Sequence, residues 1–334
     1  MERYTAEEWK GRIASLGRRV DVRNFPDVAA DILKGNIPAF LGLGCTLPRK
    51  CLNPKHIGGL VIWTKGPVDI LIKNEKLFAA LKIYQEYQAV IGLQLSVTGF
   101  GGQYVEPGIP KPEDIAAQLK EVFKTGLIDP QAVTLRYDPV MKLRTGDGKY
   151  LRNDTESAIN KVFGLFANLG INRVESKPLL AAELTGEKYH HVWQRLQDAG
   201  LTPISFTEDE IREIYKNMSL LALKYGFKLM TCCIAATSKI AGWNLDQGCL
   251  DSEQLSLVGK KLYGESWARL TSAKRASRTG CKCSAYWDLS TVEGLKKCGK
   301  TAACLYCTAC AKSFGKEILD MVENLKRHHN GEAE

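Results

Sequence analysis

Six of the eleven cysteines lie near the carboxyl end, in the segment RASRTGCKCSAYWDLSTVEGLKKCGKTAACLYCTACAKS, residues 275–313. They are Cys281, Cys283, Cys298, Cys304, Cys307 and Cys310. Thiolates are soft ligands, and this density of them favours an iron–sulfur cluster or zinc. In the spacing Cys298-x5-Cys304-x2-Cys307 three thiolates come from one loop, and the last two are close enough to reach one metal centre. The segment therefore predicts a metal site.

Disulfide bonding is the alternative use of so many cysteines. No signal peptide is recognisable in the sequence, so we expect a cytoplasmic location, where reducing conditions disfavour disulfides. No apolar run approaches the ~18 residues that a membrane span needs, so no membrane partner is expected. A hydrophobic content of 45% with 25% charged residues is typical of a globular protein.

Positive charge is concentrated in the same part of the chain. The whole sequence carries 46 Lys and Arg against 37 Asp and Glu, and residues 258–316 alone hold twelve basic and three acidic side chains. The whole chain and this segment each have nine more basic than acidic residues, so the rest of the chain has equal numbers of the two. Basic residues would offset the negative charge of a four-thiolate cluster. The alternatives are a surface for nucleic acid or an acidic partner protein, and a solvated face without function.

Upstream of this region, short β-branched runs alternate with amphipathic helical stretches. The sequence predicts strands over 37–42, 59–63, 90–98, 133–136, 173–178 and 227–231, with helices over 69–88, 112–124, 157–169 and 207–225. A capping box of Thr207 and Glu210 begins the last helix, and Gly226 ends it. The alternation predicts an α/β fold with a parallel sheet. About six such units predict a partial (β/α)6-type parallel barrel followed by a C-terminal cysteine-rich iron–sulfur lobe.

Three regions follow from this pattern. Residues 1–36 are predicted to be a helical N-terminal extension, because Trp9, Ile13 and Leu16 have helical spacing and a second helical run follows Pro26. Residues 37–256 are predicted to form the partial barrel. Residues 257–334 are predicted to form the basic cysteine-rich lobe, which ends in an amphipathic helix that packs onto the barrel.

Polar and reactive residues come directly after the predicted strands. They are Thr64, Lys65, Thr98, Arg136, Asp138, Cys232 and Cys233. Because the carboxyl ends of parallel strands meet at the mouth of a barrel, we expect these side chains to line one pocket. Arg136 could bind a carboxylate through two parallel hydrogen bonds. The alternatives are that Lys65 is a solvated loop residue and that Arg136 and Asp138 are a structural pair.

Several of these motifs occur together in one known family. They are Trp63-Thr64-Lys65-x-Pro67, Arg136-Tyr137-Asp138-Pro139, Thr231-Cys232, Gly248-Cys249-x-Asp251, Cys281-x-Cys283 and Cys304-Leu305-Tyr306-Cys307. In this order, over roughly residues 37–313, they resemble the proteins grouped as domain of unknown function 1848. Those proteins are similar to radical S-adenosylmethionine enzymes, and among these they resemble spore photoproduct lyase.

The resemblance implies that Cys298, Cys304 and Cys307 hold a [4Fe–4S] cluster and that Cys310 does not. Three protein ligands leave one iron open, and in radical S-adenosylmethionine enzymes that iron chelates the methionine end of S-adenosylmethionine. An electron then cleaves the sulfonium to a 5′-deoxyadenosyl radical, so a donor such as ferredoxin or flavodoxin is an implied partner. The predicted catalytic residues are Lys65, Arg136 and Asp138. The predicted cofactor-binding residues are Thr64, Thr98 and Tyr306.

A second, auxiliary cluster is predicted from four further cysteines. Cys232 and Cys233 end a strand, so their side chains point to opposite faces and one of them, with a preference for Cys232, faces the mouth. Cys249 lies in the following loop, and Cys281-x-Cys283 presents two thiolates on one side if that stretch is extended. Alternatively, the doublet is buried as small apolar residues. Roles are left open for Cys45, Cys51, Cys233 and Cys310.

Three functions of different classes fit these observations. The first is a radical S-adenosylmethionine enzyme acting on a small or macromolecular substrate, with one or two clusters. The second is an electron-transfer protein in which Cys310 completes a fully coordinated cluster. The third is a zinc-stabilised protein that binds nucleic acid through residues 258–316. The predicted mouth of charged side chains favours the enzyme, because an electron carrier needs no such rim.

Overall fold

The structure, a computed structural model, describes residues 11–18, 21–36, 40–41, 52–179, 184, 190–231, 248–270 and 286–290. The described strands are β1 Arg12–Leu16, β2 Phe40–Leu41, β3 Ile57–Thr64, β4 Val90–Ser96, β5 Val133–Val140, β6 Lys142–Thr145, β7 Tyr150–Arg152, β8 Arg173–Pro178, β9 Leu201–Ile204, β10 Lys228–Thr231 and β11 Tyr286–Ser290. The described helices are α1 Pro26–Leu33, α2 Ile70–Lys73, α3 Glu75–Glu86, α4 Pro112–Lys124, α5 Glu156–Ala167, α6 His190–Asp198, α7 Glu208–Tyr225 and α8 Ser252–Tyr263. No helix within these ranges is long and apolar enough to cross a membrane.

The main sheet has eight described strands in the order β10-β8-β5-β4-β3-β1-β11-β2. Every neighbouring pair is parallel except β11 and β2, which run antiparallel at one edge. From β1 to β10 the order across the sheet follows the order along the chain, and β11 returns to pair with β1. Among the described strands no pairing joins β10 to β11. The prediction of a mixed α/β fold with a parallel sheet is confirmed.

Strand β1 corrects the prediction for the start of the chain. The helix predicted through Ile13 and Leu16 is wrong, because residues 12–16 form a strand between β3 and β11. Ile13, Ala14, Ser15 and Leu16 are all buried, as expected for a parallel strand that is covered on both faces. Over five residues, apolar positions three apart do not distinguish a helix from such a strand. The second helix of this region is confirmed as α1, while residues 1–10 lie outside the described residues.

The helix ends follow the local sequence closely. Helix α7 begins with the predicted capping box, since the Thr207 side chain accepts from the Glu210 backbone and the Glu210 side chain accepts from the Thr207 backbone. It ends at Gly226, whose φ of 72° lies in the left-handed region that glycine adopts without strain. Helix α4 spans Pro112–Lys124 as predicted, with the proline at its first position.

A small antiparallel sheet was not predicted. Strands β6, β7 and β9 form it in the order β7-β6-β9. Its core is a separate apolar cluster that includes Leu143, Leu151, Leu196 and Leu201. Each strand has only three or four residues, so its alternating pattern is too short to stand out from a loop.

The two faces of the main sheet differ sharply in chemistry. One face carries apolar side chains such as Leu60, Leu93, Leu135 and Val174, all fully buried. The other, which we call the polar face, carries Ser15, Trp63, Gln94, Thr134, Arg136, Arg173 and Glu175. Pairing in register places these residues on one side, because residues opposite each other in a sheet point the same way.

Helix α8 and the loop before it cover the polar face near the beginnings of the strands. Leu255 packs against the two glycines of this face: a Cβ at Gly59 would lie 3.0 Å from its Cδ1 and one at Gly92 3.2 Å from its Cδ2. In the preceding loop, the Cys249 carbonyl accepts from Gln94 Nε2 at 2.5 Å and Asp251 accepts from Arg173 Nη1 at 2.8 Å. The polar face is therefore closed at this end, where Arg173 is bound by Asp251, whereas Arg136 lies level with the last residue of β4.

Candidate functional site

Arg136 is held by two carboxylates on the polar face. It donates through Nη1 to Glu175 Oε2 at 2.7 Å and through Nη2 to Asp138 Oδ2. Arg136 and Glu175 are direct partners in the register of β5 and β8. Asp138 follows two positions later on the same strand, so the pleat of β5 brings both to one side. The sequence pointed to Arg136 and Asp138 but missed Glu175, whose only signal is an acidic residue inside a buried strand.

The indole of Trp63 lies against this arginine. The Arg136 guanidinium carbon is 4.9 Å from the centroid of the Trp63 ring, and that of Arg18 is 5.2 Å from it. A hydrogen bond of 2.9 Å from the ring nitrogen to Ser15 Oγ fixes the ring. Cation–π attraction at these distances is typically worth about 0.5–2 kcal/mol. The tryptophan therefore orients Arg136 from a third side, in addition to Glu175 and Asp138.

Glu175 is fully buried, and its environment favours the protonated form. Burial raises the pKa of Glu175 to about 8, and the Arg136 guanidinium only partly opposes this effect. The carboxylate of Asp138 raises the pKa of Glu175 further. One oxygen, Oε1, has no hydrogen-bond partner among the described residues. Perturbed carboxyl groups of this kind are frequent at functional sites.

Glu175 should make the stability of the protein depend on pH. Since the folded protein keeps this proton up to about pH 8 and the unfolded chain releases it near pH 4.5, the unfolded state binds fewer protons between these values. The contribution of Glu175 to stability is therefore complete below that window and is lost as pH rises through it. We expect wild type to lose stability relative to Glu175→Gln between pH 5 and pH 8 in urea unfolding, whereas parallel pH profiles would contradict this assignment.

A second group of side chains joins the loops that follow β1, β3 and β4. The buried carboxylate of Glu106 accepts from Thr98 Oγ1 at 2.6 Å and from Lys65 Nζ at 3.3 Å. Lys65 is in turn positioned by its backbone, whose N–H donates to Asp21 at 2.8 Å. The Thr64 hydroxyl accepts from the Gly66 N–H at 3.0 Å and so stabilises the turn after β3. Lys65 and Thr98 thus share one partner.

Asn153 connects this group to the end of β5. Its side-chain nitrogen donates to the Thr98 carbonyl at 2.9 Å and to the Pro139 carbonyl at 3.0 Å. The peptide bond before Pro139 is cis, as is the one between Gly66 and Pro67. The predicted residues Thr98, Arg136 and Asp138 therefore lie at the same edge of the sheet, where β4 and β5 end.

The predicted cluster ligands are almost all outside the described residues. Of the eleven cysteines, the structure describes Cys249, which is 3% exposed and whose backbone carbonyl accepts from Gln94 on the polar face. Outside the described ranges lie Cys45, Cys51, Cys232, Cys233, Cys281, Cys283, Cys298, Cys304, Cys307 and Cys310, together with Tyr306. Within the described part, no three His, Cys, Asp or Glu side chains are grouped so that they could hold a metal ion. The two iron–sulfur clusters stay predictions.

Comparison with known families decides where the chain belongs. The model of the family described as "Domain of unknown function (DUF1848)" matches residues 45–309. The chain belongs to this family. The match extends over the polar face from β3 to β11 and over Cys298, Cys304 and Cys307, and it ends one residue before Cys310.

Other comparisons add no functional information about this DUF1848 protein. No curated protein matches the chain. One solved structure with similarity is a Bacteroides thetaiotaomicron protein provisionally assigned as an alpha-L-fucosidase, at 12% sequence identity and a TM-score of 0.28. The alignment covers 67% of this chain and 90% of that one. A score this low carries no argument about fold or activity.

Proposed function

We propose that this DUF1848 protein is a radical S-adenosylmethionine enzyme that acts on a substrate bound at the polar face. The observation that carries the proposal is the contact of buried Arg136 with buried Glu175, half-buried Asp138 and the ring of Trp63, on the polar face of a parallel sheet. Active sites of parallel α/β folds form at the carboxyl ends of the strands. An electron-transfer protein would need no such set of buried charges, and a zinc-stabilised binding module would not need them inside a sheet.

The strand order supports a barrel that is partly open. In the described residues the parallel strands follow chain order from β1 to β10, β11 returns to pair with β1, and no pairing joins β10 to β11. We propose that these strands form a partial barrel and that residues 257–334 form the cysteine-rich lobe, which would bring its thiolates to the mouth.

The donor set fits a [4Fe–4S] cluster with one open iron. Cys298, Cys304 and Cys307 fall inside the segment matched by the family model, and Cys310 falls outside it. Three cysteines would hold the cluster, which when bound would supply the electron that cleaves S-adenosylmethionine. Cys249, with Cys281, Cys283 and one of Cys232 or Cys233, would hold an auxiliary cluster.

The protein's own residues would bind and orient the reactants and exclude water. Asp138 and Lys65 reach solvent, with side-chain exposures of 17% and 24%, and they are the groups best placed to contact a ligand at the mouth. Arg136, at 11% exposure, already engages Glu175 and Asp138, so we assign it to positioning rather than to binding a substrate carboxylate. Thr64 and Thr98 would set the loops that face the cofactor, through their bonds to Gly66 and Glu106.

The basic region would receive the electron donor. In the described part of residues 258–316, Lys261 forms an ion pair with Asp129 and Lys260 lies 3.8 Å from Glu265. An acidic carrier such as ferredoxin or flavodoxin complements the net positive charge of the region. Nucleic acid is the alternative partner of the same surface.

Paramagnetic resonance of the reduced protein tests the open iron. We expect the cluster spectrum of the anaerobically purified protein to change when S-adenosylmethionine is added, and to change equally in Cys310→Ala. A spectrum that does not respond would favour a fully coordinated electron carrier. Stoichiometric zinc in place of iron in the anaerobically purified protein would favour the binding module.

A further inference from the structure

Two buried oxygen atoms on the polar face have no hydrogen-bond partner among the described residues. They are Gln94 Oε1 and Glu175 Oε1, and their residues are 4% and 0% exposed. Gln94 lies on β4 and Glu175 on β8, the two strands that flank β5. Register places both on the side of Thr134 and Arg136, so the two acceptors share one face.

In each of the two side chains, the second polar atom already has a hydrogen-bond partner, which fixes the position of Oε1. Gln94 Nε2 donates to the Cys249 carbonyl, which assigns the amide and leaves Oε1 as the remaining acceptor. Glu175 Oε2 accepts from Arg136 Nη1, so Oε1 is the oxygen that carries the proton in the neutral form and becomes the second acceptor when the carboxyl group is ionised. A buried polar atom without a partner destabilises the folded protein. A ligand that donates to both atoms would recover much of this free energy.

We propose that the polar face binds a primary ammonium group of the substrate, between Gln94 Oε1 and Glu175 Oε1. The inference rests on the proposed function, because it concerns the substrate of the same site. An ammonium carries three donor hydrogens and can serve both acceptors, whereas a hydroxyl carries one. A cation also stabilises the ionised form of a buried carboxyl group, which burial otherwise disfavours. The substrate class is therefore a primary amine.

Binding of simple probes tests this without cofactor or reductant. We expect n-propylammonium chloride to raise the thermal unfolding midpoint of the purified protein in a saturable manner, and 1-propanol and sodium propionate to leave it unchanged at equal ionic strength. Loss of one hydrogen bond to a charged group costs about 1.5–3 kcal/mol, so Glu175→Gln should weaken propylammonium binding by about tenfold or more. The neutral change Gln94→Met should weaken it in the same direction.

The matched control is Glu213→Gln, which makes the same substitution on the exposed surface of α7. We expect this variant to bind propylammonium as wild type does, with folding of all variants checked by circular dichroism. Equal responses of wild type to the ammonium, the alcohol and the carboxylate would overturn the inference even if no variant folds. Because no S-adenosylmethionine is present, the binding result is independent of whether 5′-deoxyadenosine is formed.

Discussion

Replacing Cys304 by alanine should remove the cluster and reduce 5′-deoxyadenosine formation to background. Cys298, Cys304 and Cys307 are the three thiolates assigned to the cluster, and with one iron already open the loss of a further ligand leaves two protein bonds for four irons. Thiolate ligation is what holds such clusters in proteins. Iron and sulfide per chain, measured after anaerobic reconstitution, give the first readout.

Cys310→Ala is the matched control for this experiment, since it removes a thiol from the same segment only three residues beyond Cys307. It should keep the iron content and the product yield of wild type. If Cys310→Ala loses as much iron as Cys304→Ala, the cluster has four cysteine ligands and no open iron. Retention of all iron by Cys304→Ala would show that the triad is assigned to the wrong residues.

Replacing Arg136 by methionine should destabilise the folded protein by about 3 kcal/mol. The change keeps most of the aliphatic volume and removes the guanidinium, which leaves the buried carboxyl group of Glu175 and the carboxylate of Asp138 without this partner. Removing one member of a buried ion pair typically costs about 3–5 kcal/mol. We expect the lower end of this range, because Glu175 already holds its proton at pH 7 and only Asp138 loses a partner of opposite charge. Urea unfolding at pH 7 measures the effect.

Arg144→Met provides the control, because Arg144 is exposed on β6. Its stability should stay within about 0.5 kcal/mol of wild type. The double variant Arg136→Met with Glu175→Gln should lose less stability than the two single changes added together, since the two side chains are in contact. An Arg136→Met protein as stable as Arg144→Met would contradict the role of the buried cluster.

The fold could be predicted wherever the sequence has long periodic segments. The strands at 57–64 and 90–96 and the helix at 112–124 have clear apolar patterns and clear end signals, so local preference and tertiary structure agree there. Strand β1 was misassigned because its four consecutive buried residues, Ile13 to Leu16, show no alternation. Strands β6, β7 and β9 were missed because pairing with each other, and not local preference, stabilises them.

The candidate site could be predicted only in part, for a related reason. Lys65, Thr98 and Arg136 were predicted as site residues because they directly follow predicted strands, and this can be read from the order of residues along the chain. The partner of Arg136 depends on strand register, because Glu175 lies 39 positions away on β8. The partner of Gln94 is the Cys249 carbonyl, 155 positions away in the loop before α8, and depends on how that loop packs on the sheet. Glu175 and Gln94 were therefore found only in the folded structure.

Formation of 5′-deoxyadenosine is the most direct measurement of the proposed activity. The reconstituted protein is incubated anaerobically with dithionite and S-adenosylmethionine, and the product is quantified by liquid chromatography and mass spectrometry. We predict 5′-deoxyadenosine that requires the reductant, is unaffected by Cys310→Ala and is absent in Cys304→Ala. A wild-type protein that carries its full iron and sulfide and yet forms no 5′-deoxyadenosine above the protein-free background would contradict the assignment as a radical S-adenosylmethionine enzyme.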